Sequence, residues 1–175
     1  MFTPVFGILP SIATNFFGRL LVPCFMGYTM PPPVMHEVVA ALIIRSGRIL
    51  LGQRSPTRAF YPNVWDLFGG HVEPGEQQHE TLLRELQEEL GITPTQWAYL
   101  DTMHSRSLPS SNAPSDSLTF HVYLVTEWAG TPTNRQVDAH SAIGWFSLEE
   151  AIQLPLADPA YPALFGRYLT SDPGQ

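Results

Sequence analysis

An unbroken β-branched and apolar run covers Val38 to Ile44, the Ser46-Gly47 pair interrupts it, and Ile49-Leu50-Leu51 opens a second run. That order predicts a β-hairpin. Trp65 to Phe68 reads as a further strand ending at Gly69-Gly70. The period then changes. Leu82, Leu83, Leu86 and Leu90 recur at helical spacing and, at about 100° per residue, share one face. A helix is therefore predicted from Gln77 to Leu90, with Pro74-Gly75 as the turn before it and Gly91 as its left-handed C-terminal cap. Trp97 to Met103 and Leu118 to Thr126 read as strands, separated by a Ser-, Pro- and Asn-rich stretch from Ser105 to Ser117 expected to be a mobile loop. A short strand over Ile143 to Phe146 precedes Ser147-Leu148-Glu149-Glu150, a capping box for a helix through Gln153, and a last helix is expected between Asp158 and Leu169.

Length and composition change this picture little. With 175 residues, 44% of them hydrophobic, the chain suffices for one domain with a substantial core. We expect that domain over residues 35–170, after an apolar N-terminal extension at 1–34 and before a frayed tail at 171–175. Residues 1–29 lack acids and carry only Arg19 as a charge, but Pro4, Gly7, Pro10, Asn15 and Arg19 interrupt them, so they make neither a good targeting signal nor a membrane span. Either Met30 or Met35 is the biological start, or the segment packs on the domain or joins subunits. The single Cys24 leaves no intramolecular disulfide and no cysteine cluster for zinc, which fits a cytoplasmic protein. A net charge of −7, with nine Lys and Arg in all, argues against a nucleic-acid polymer as partner, and no membrane partner is expected. Oligomeric state is left open.

Chemistry concentrates between Gly70 and Ile92. The segment GHVEPGEQQHETLLRELQEELGI holds six glutamates, and Glu85, Glu88 and Glu89, at i, i+3 and i+4, project together away from the leucine face. Like charges at these spacings cost an isolated helix about 0.2–0.5 kcal/mol per pair, so a compensating charge is expected. A hard divalent cation supplies one, since Mg²⁺ takes oxygen ligands and leaves positions for water and substrate phosphates. The alternative is a solvated acidic face partnered locally by Arg84.

The template Gly70, Glu76, Arg84-Glu85-Leu86, Glu88-Glu89, Gly91-Ile92 resembles the Nudix box, the signature of hydrolases that cleave nucleoside diphosphates linked to another group. The likeness extends from about Val38 to Leu169 and is nearest to MutT-type triphosphate pyrophosphohydrolases, through IIRSGRILLGQR, RELQEELGITP, SLTFHVYLVTEWAGTP and GWFSLEEA. It implies an α/β fold with a mixed β-sheet sandwiched between α-helices, and hydrolysis of a pyrophosphate linkage in a small-molecule nucleotide, foremost a nucleoside triphosphate. It also implies a Mg²⁺ cofactor, with Mn²⁺ as an alternative.

Carried onto this chain, the resemblance assigns the cation to Glu85, Glu88 and Glu89, with the Gly70 carbonyl as a further ligand and Glu76 supporting the metal or its waters. Arg84 would orient these carboxylates. The base that accepts the water proton is either Glu85 or an acid before the last core strand, for which Asp138 is the first candidate and Glu127 the second. Arg54 corresponds to a basic position after the second strand that contacts nucleotide in MutT-type enzymes, the alternative being an exposed strand-end arginine, and Arg58 is a candidate addition to phosphate binding; Phe120, Trp65 and Tyr123 are candidate stacking faces, the alternative being core aromatics. The base-reading asparagine of MutT-type enzymes is missing, and Asp158 stands near its place. Pro109 points weakly toward ADP-ribose or nucleotide-sugar pyrophosphatases. An isopentenyl diphosphate isomerase would need a cysteine where Gly69 stands, and a non-catalytic nucleotide-binding module would be expected to lose box glutamates.

Overall fold

The computed structural model describes residues 35–106 and 117–169. The N-terminal extension, the C-terminal tail and most of the Ser-, Pro- and Asn-rich stretch, Pro109 included, lie outside the described residues. In chain order the elements are β1 (Met35–Arg45), β2 (Arg48–Arg54), β3 (Trp65–Asp66), β4 (Phe68–His71), α1 (Gln78–Leu90), β5 (Thr93–Arg106), β6 (Ser117–Ala129), β7 (His140–Phe146), α2 (Leu148–Ala151) and α3 (Tyr161–Leu169).

The predicted hairpin forms between β1 and β2. Ser46 and Gly47 both take positive φ, 50° and 67°, the tight turn whose twist suits two-residue hairpins. β1 lies centrally, parallel to β6 on one side and antiparallel to both β2 and β4 on the other. β6 carries β5, while β2 carries β3 and β7. The sheet is thus mixed, and strand alternation divides its core. Val39, Ala41 and Ile43 face the cluster that takes Leu82, Leu86 and Leu90 from α1. Ala40 and Leu42 face the cluster that takes Ala151, Tyr161, Leu164 and Phe165 from α2 and α3. Burial on both faces explains why β1 reads as a continuous apolar run, and it gives the helix–sheet–helix sandwich expected from sequence.

Several strand boundaries differ from expectation, β7 opening at His140 rather than Ile143 among them. The strand approaching the glycine pair does not end there: β4 runs through it, pairing Gly69 with Ala40 and Gly70 with Val39. Gly69 has φ 144°, and a β-carbon on it would collide with the Val39 carbonyl oxygen, so glycine is what lets the two backbones approach. β5 begins at Thr93 rather than Trp97, because its ladder with β6 continues past Pro94 and Gln96 through irregular register. Among the described residues, no helix is long and apolar enough to cross a membrane.

Candidate active site

Helix α1 is fixed before it carries chemistry. Glu80 accepts a hydrogen bond from the Gln77 amide at 2.9 Å, capping one end, and Gly91 closes the other in the left-handed conformation with φ 71°. Leu82, Leu86 and Leu90 are fully buried, each contributing about 1.5–3 kcal/mol of hydrophobic stabilisation. This anchor sets the depth of the carboxylates on the remaining surface. Glu88 is exposed, Glu85 half-buried and Glu89 buried.

Arg84 organises part of this set. Its Nε donates to Glu76 Oε1 at 2.9 Å and Nη2 to Glu76 Oε2 at 3.0 Å, while Nη1 donates to Glu85 Oε1 at 2.7 Å. The paired geometry is the one a guanidinium makes with a carboxylate. Glu76 also accepts from the Thr81 hydroxyl and the Glu73 amide, and Arg84's hydrogen bonds hold its carboxyl down at about 2. Arg84 reaches Glu88 at 3.7 Å. The sequence alternatives of a local ion pair and an orienting arginine therefore describe one structure: the ion pair is what orients Glu76 and Glu85.

Glu89 is treated differently. Its Oε2 accepts from the Gly69 amide at 3.0 Å, and burial, aided by the charges of Glu85 and Asp66, pushes its carboxyl up to about 8. A buried carboxylate with so little compensation calls for positive charge. Glu85 lies so close to Gly70 that a β-carbon there would strike its carboxylate, which brings the Gly70 backbone and Glu85 to one place. This donor set of carboxylate and carbonyl oxygens suits a hard divalent cation. Among the described residues, however, no three acidic, histidine or cysteine side chains already converge as a finished metal cage; the carboxylates stand at different depths, with Arg84 occupying part of their charge.

A cavity of about 380 Å³ lies over β4, and its lining joins Gly70 and Glu89 to Arg58, Phe120, Asp158 and His140. Arg54 also lines it but is committed elsewhere. Its guanidinium donates to the carbonyls of Tyr61 and Phe60 and to Asp66 Oδ2 at 3.2 Å, so it shapes the loop after β2. Asp66 in turn accepts from the Tyr161 hydroxyl at 2.7 Å, which ties β3 to α3. Arg58 is exposed and, among the described residues, its guanidinium has no hydrogen bond or ion pair, leaving it the available cation of the cavity. Asp158 precedes α3 and accepts from the Ala160 amide at 2.8 Å.

Other candidates fall away from the cavity. Asp138 is exposed in the turn before β7 and Glu127 is exposed near the end of β6, so neither acid lines it. Trp65 packs edge-on against Phe146, and Tyr123 belongs to the core beneath α1 with its hydroxyl donating to Gln78. These two aromatics are core, as their strand positions allowed; Phe120 alone of the three lines the cavity. Sequence reading missed His140 and the Asp66–Tyr161 pair. The only signal for His140 was its position two residues after the acid already singled out.

The NUDIX domain family model matches residues 34–166. The chain belongs to the Nudix family and is a hydrolase of that family. Its pattern within the family is MutT-like. It is 42% identical over 130 residues to the CTP pyrophosphohydrolase of Escherichia coli strain K12, a match covering 74% of this chain and 89% of that protein. It is 31% identical over 102 residues to the 8-oxo-dGTP diphosphatase of Proteus vulgaris, covering 58% of this chain and 85% of the relative. Among solved structures, the MutT Nudix hydrolase of Burkholderia pseudomallei superposes with a TM-score of 0.66 at 31% identity, over 77% of this chain and 98% of that one.

Proposed function

We propose that this chain hydrolyses a nucleoside triphosphate to the monophosphate and pyrophosphate with the aid of a divalent cation, Mg²⁺ or Mn²⁺. One observation carries the reading: a single cavity joins the buried Glu89 and the Gly70 backbone to a cation, Arg58, an aromatic face, Phe120, and an acceptor, Asp158. The relatives named for CTP and 8-oxo-dGTP support a triphosphate.

In this reading Glu85, Glu88, Glu89 and the Gly70 carbonyl hold the cation, and Glu76 and Arg84 keep Glu85 in place. A bound divalent cation draws charge from phosphoryl oxygens and makes a coordinated water more acidic. Glu85, near Gly70 and half-buried, is the better placed acceptor for the water's proton than the exposed Asp138. Arg58 neutralises phosphate, and Phe120 offers its ring to the base. Asp158, when ionised, only accepts hydrogen bonds, so it favours a base edge carrying an amino group.

The test is a panel of CTP, UTP, ATP, GTP, 8-oxo-dGTP, ADP-ribose and nucleotide sugars incubated with the protein and Mg²⁺, with products separated by chromatography. Conversion of a triphosphate to its monophosphate, abolished by chelation and faster for CTP than for UTP, is expected. Turnover of ADP-ribose or a nucleotide sugar without any triphosphate would overturn the assignment.

A further inference from the structure

We propose that His140 is a positioning residue for Glu89, donating a hydrogen bond from its Nδ1–H to Glu89 Oε1. This rests on Glu89 serving as a cation ligand in the proposed function.

Three observations bring the inference to one place. First, His140 is 5% exposed and its Nδ1 is buried with no hydrogen-bond partner, which a folded protein rarely tolerates. Second, that atom stands 3.9 Å from Glu89 Oε1, about 1 Å beyond hydrogen-bond distance. The other Glu89 oxygen already accepts from the Gly69 amide, which leaves Oε1 as the oxygen that faces His140. Third, the ring is held from several sides. It packs on Phe68 with centroids 5.1 Å apart, the His140 carbonyl accepts from Asn134 Nδ2 at 2.7 Å, and the His140 amide donates to Gln136. A β-carbon on Gly52 would stand 2.7 Å from His140 Cδ2, so the glycine in β2 makes room for the ring.

Donation from both Gly69 and His140 would fix the carboxylate plane from two directions. A ligand held in that way loses less freedom when a cation binds, and outer partners of this kind are worth about 10–100-fold in metal affinity or activity. The donor exists in both charge states of the imidazole when Nδ1 bears the proton, so the role does not depend on titration of the ring. Burial, aided by the nearby cations Arg54 and Arg58, holds His140 down at about 4.

The experiment compares the parent with His140→Phe, which keeps a ring and loses the donor, and His140→Asn, whose amide nitrogen replaces it. Mn²⁺ binding to substrate-free protein is measured by calorimetry, and kcat and KM are measured on a triphosphate. His140→Phe is expected to bind Mn²⁺ about 10-fold or more weaker and to lose kcat in similar proportion, with KM changed little; His140→Asn should recover most of both. Unchanged Mn²⁺ affinity in a folded His140→Phe, or an Asn variant as impaired as Phe, overturns the role. Should the Phe variant not fold, ring-nitrogen NMR on the parent in Mg²⁺ buffer decides. A protonated Nδ1 with an unprotonated Nε2 is expected, and the opposite tautomer overturns it. If the parent shows the expected tautomer and Mn²⁺ affinity but hydrolyses no triphosphate, the substrate reading fails while this inference stands.

Discussion

At the scale of single residues, the glutamates differ by depth more than by kind. Glu89 is buried and Glu88 exposed, so Glu89→Gln should remove more. Because several kcal/mol of charge stabilisation are at stake and 1.36 kcal/mol is tenfold, its turnover should fall about 100-fold or more at saturating Mg²⁺, with the circular dichroism spectrum unchanged. Activity equal to the parent's would remove Glu89 from the site. Glu76 carries a stability prediction instead. Its carboxyl is held below the ordinary 4.5, at about 2, so the stabilisation is fully present above the unfolded value and is lost as pH falls from about 4.5 toward 2. In metal-free buffer, denaturant unfolding of Glu76→Gln should therefore show less acid dependence than the parent in that window. The two arginines should separate cleanly. Arg54→Met breaks the ties to Phe60, Tyr61 and Asp66 and should cost about 1–3 kcal/mol of unfolding free energy, as leaving partly buried acceptors without their donor does. Arg58→Met should leave stability within about 0.5 kcal/mol and raise KM for the nucleotide. A reversed pattern would return Arg54 to the substrate. Sequence reading put Arg54 ahead of Arg58 as a nucleotide contact because a basic residue's commitments are made in space: Arg54 is taken up by a loop that folds back on it.

Among the elements, α1 was legible because its signals agree: leucines at helical spacing, a turn before, a glycine after and acids on the remaining surface. The glycine pair was less so. Gly69-Gly70 was read as the place where a strand ends, yet here it permits β4 to lie against β1. Gly69→Ala should consequently fail to fold or lose several kcal/mol, since relief of the clash with the Val39 carbonyl requires backbone movement. Gly91→Ala should also be destabilising, by about 1 kcal/mol or more, through its left-handed cap and the Arg135 side chain lying over it. Thermal unfolding ranks the two, and a mild Gly69→Ala would contradict the close packing of β4. α2 and α3 were anticipated within a few residues, the first by its capping box, in which the Ser147 hydroxyl accepts from the Glu150 amide at 3.2 Å.

For the whole molecule, the fold was readable because each half of its core leaves a local period in the sequence. The cavity was not, since its wall draws on residues from His36 to Tyr161 whose meeting depends on the sheet order. His140 shows the difference: an isolated histidine in the sequence becomes a neighbour of Glu89 only when β7 joins β2. Because every residue assigned to the cation, the water's proton and the nucleotide lies at Arg58 or later in the chain, a chain starting at Met30 is expected to keep most of its turnover, and an insoluble or inactive truncation would show instead that the apolar extension is needed. The central claim is hydrolysis of a triphosphate at phosphorus. Its most direct measurement is mass spectrometry of the products from CTP and Mg²⁺ in ¹⁸O-labelled water, where the account requires CMP and pyrophosphate with one labelled oxygen in one of the two. Absence of label from both products, or release of orthophosphate in place of pyrophosphate, would contradict it.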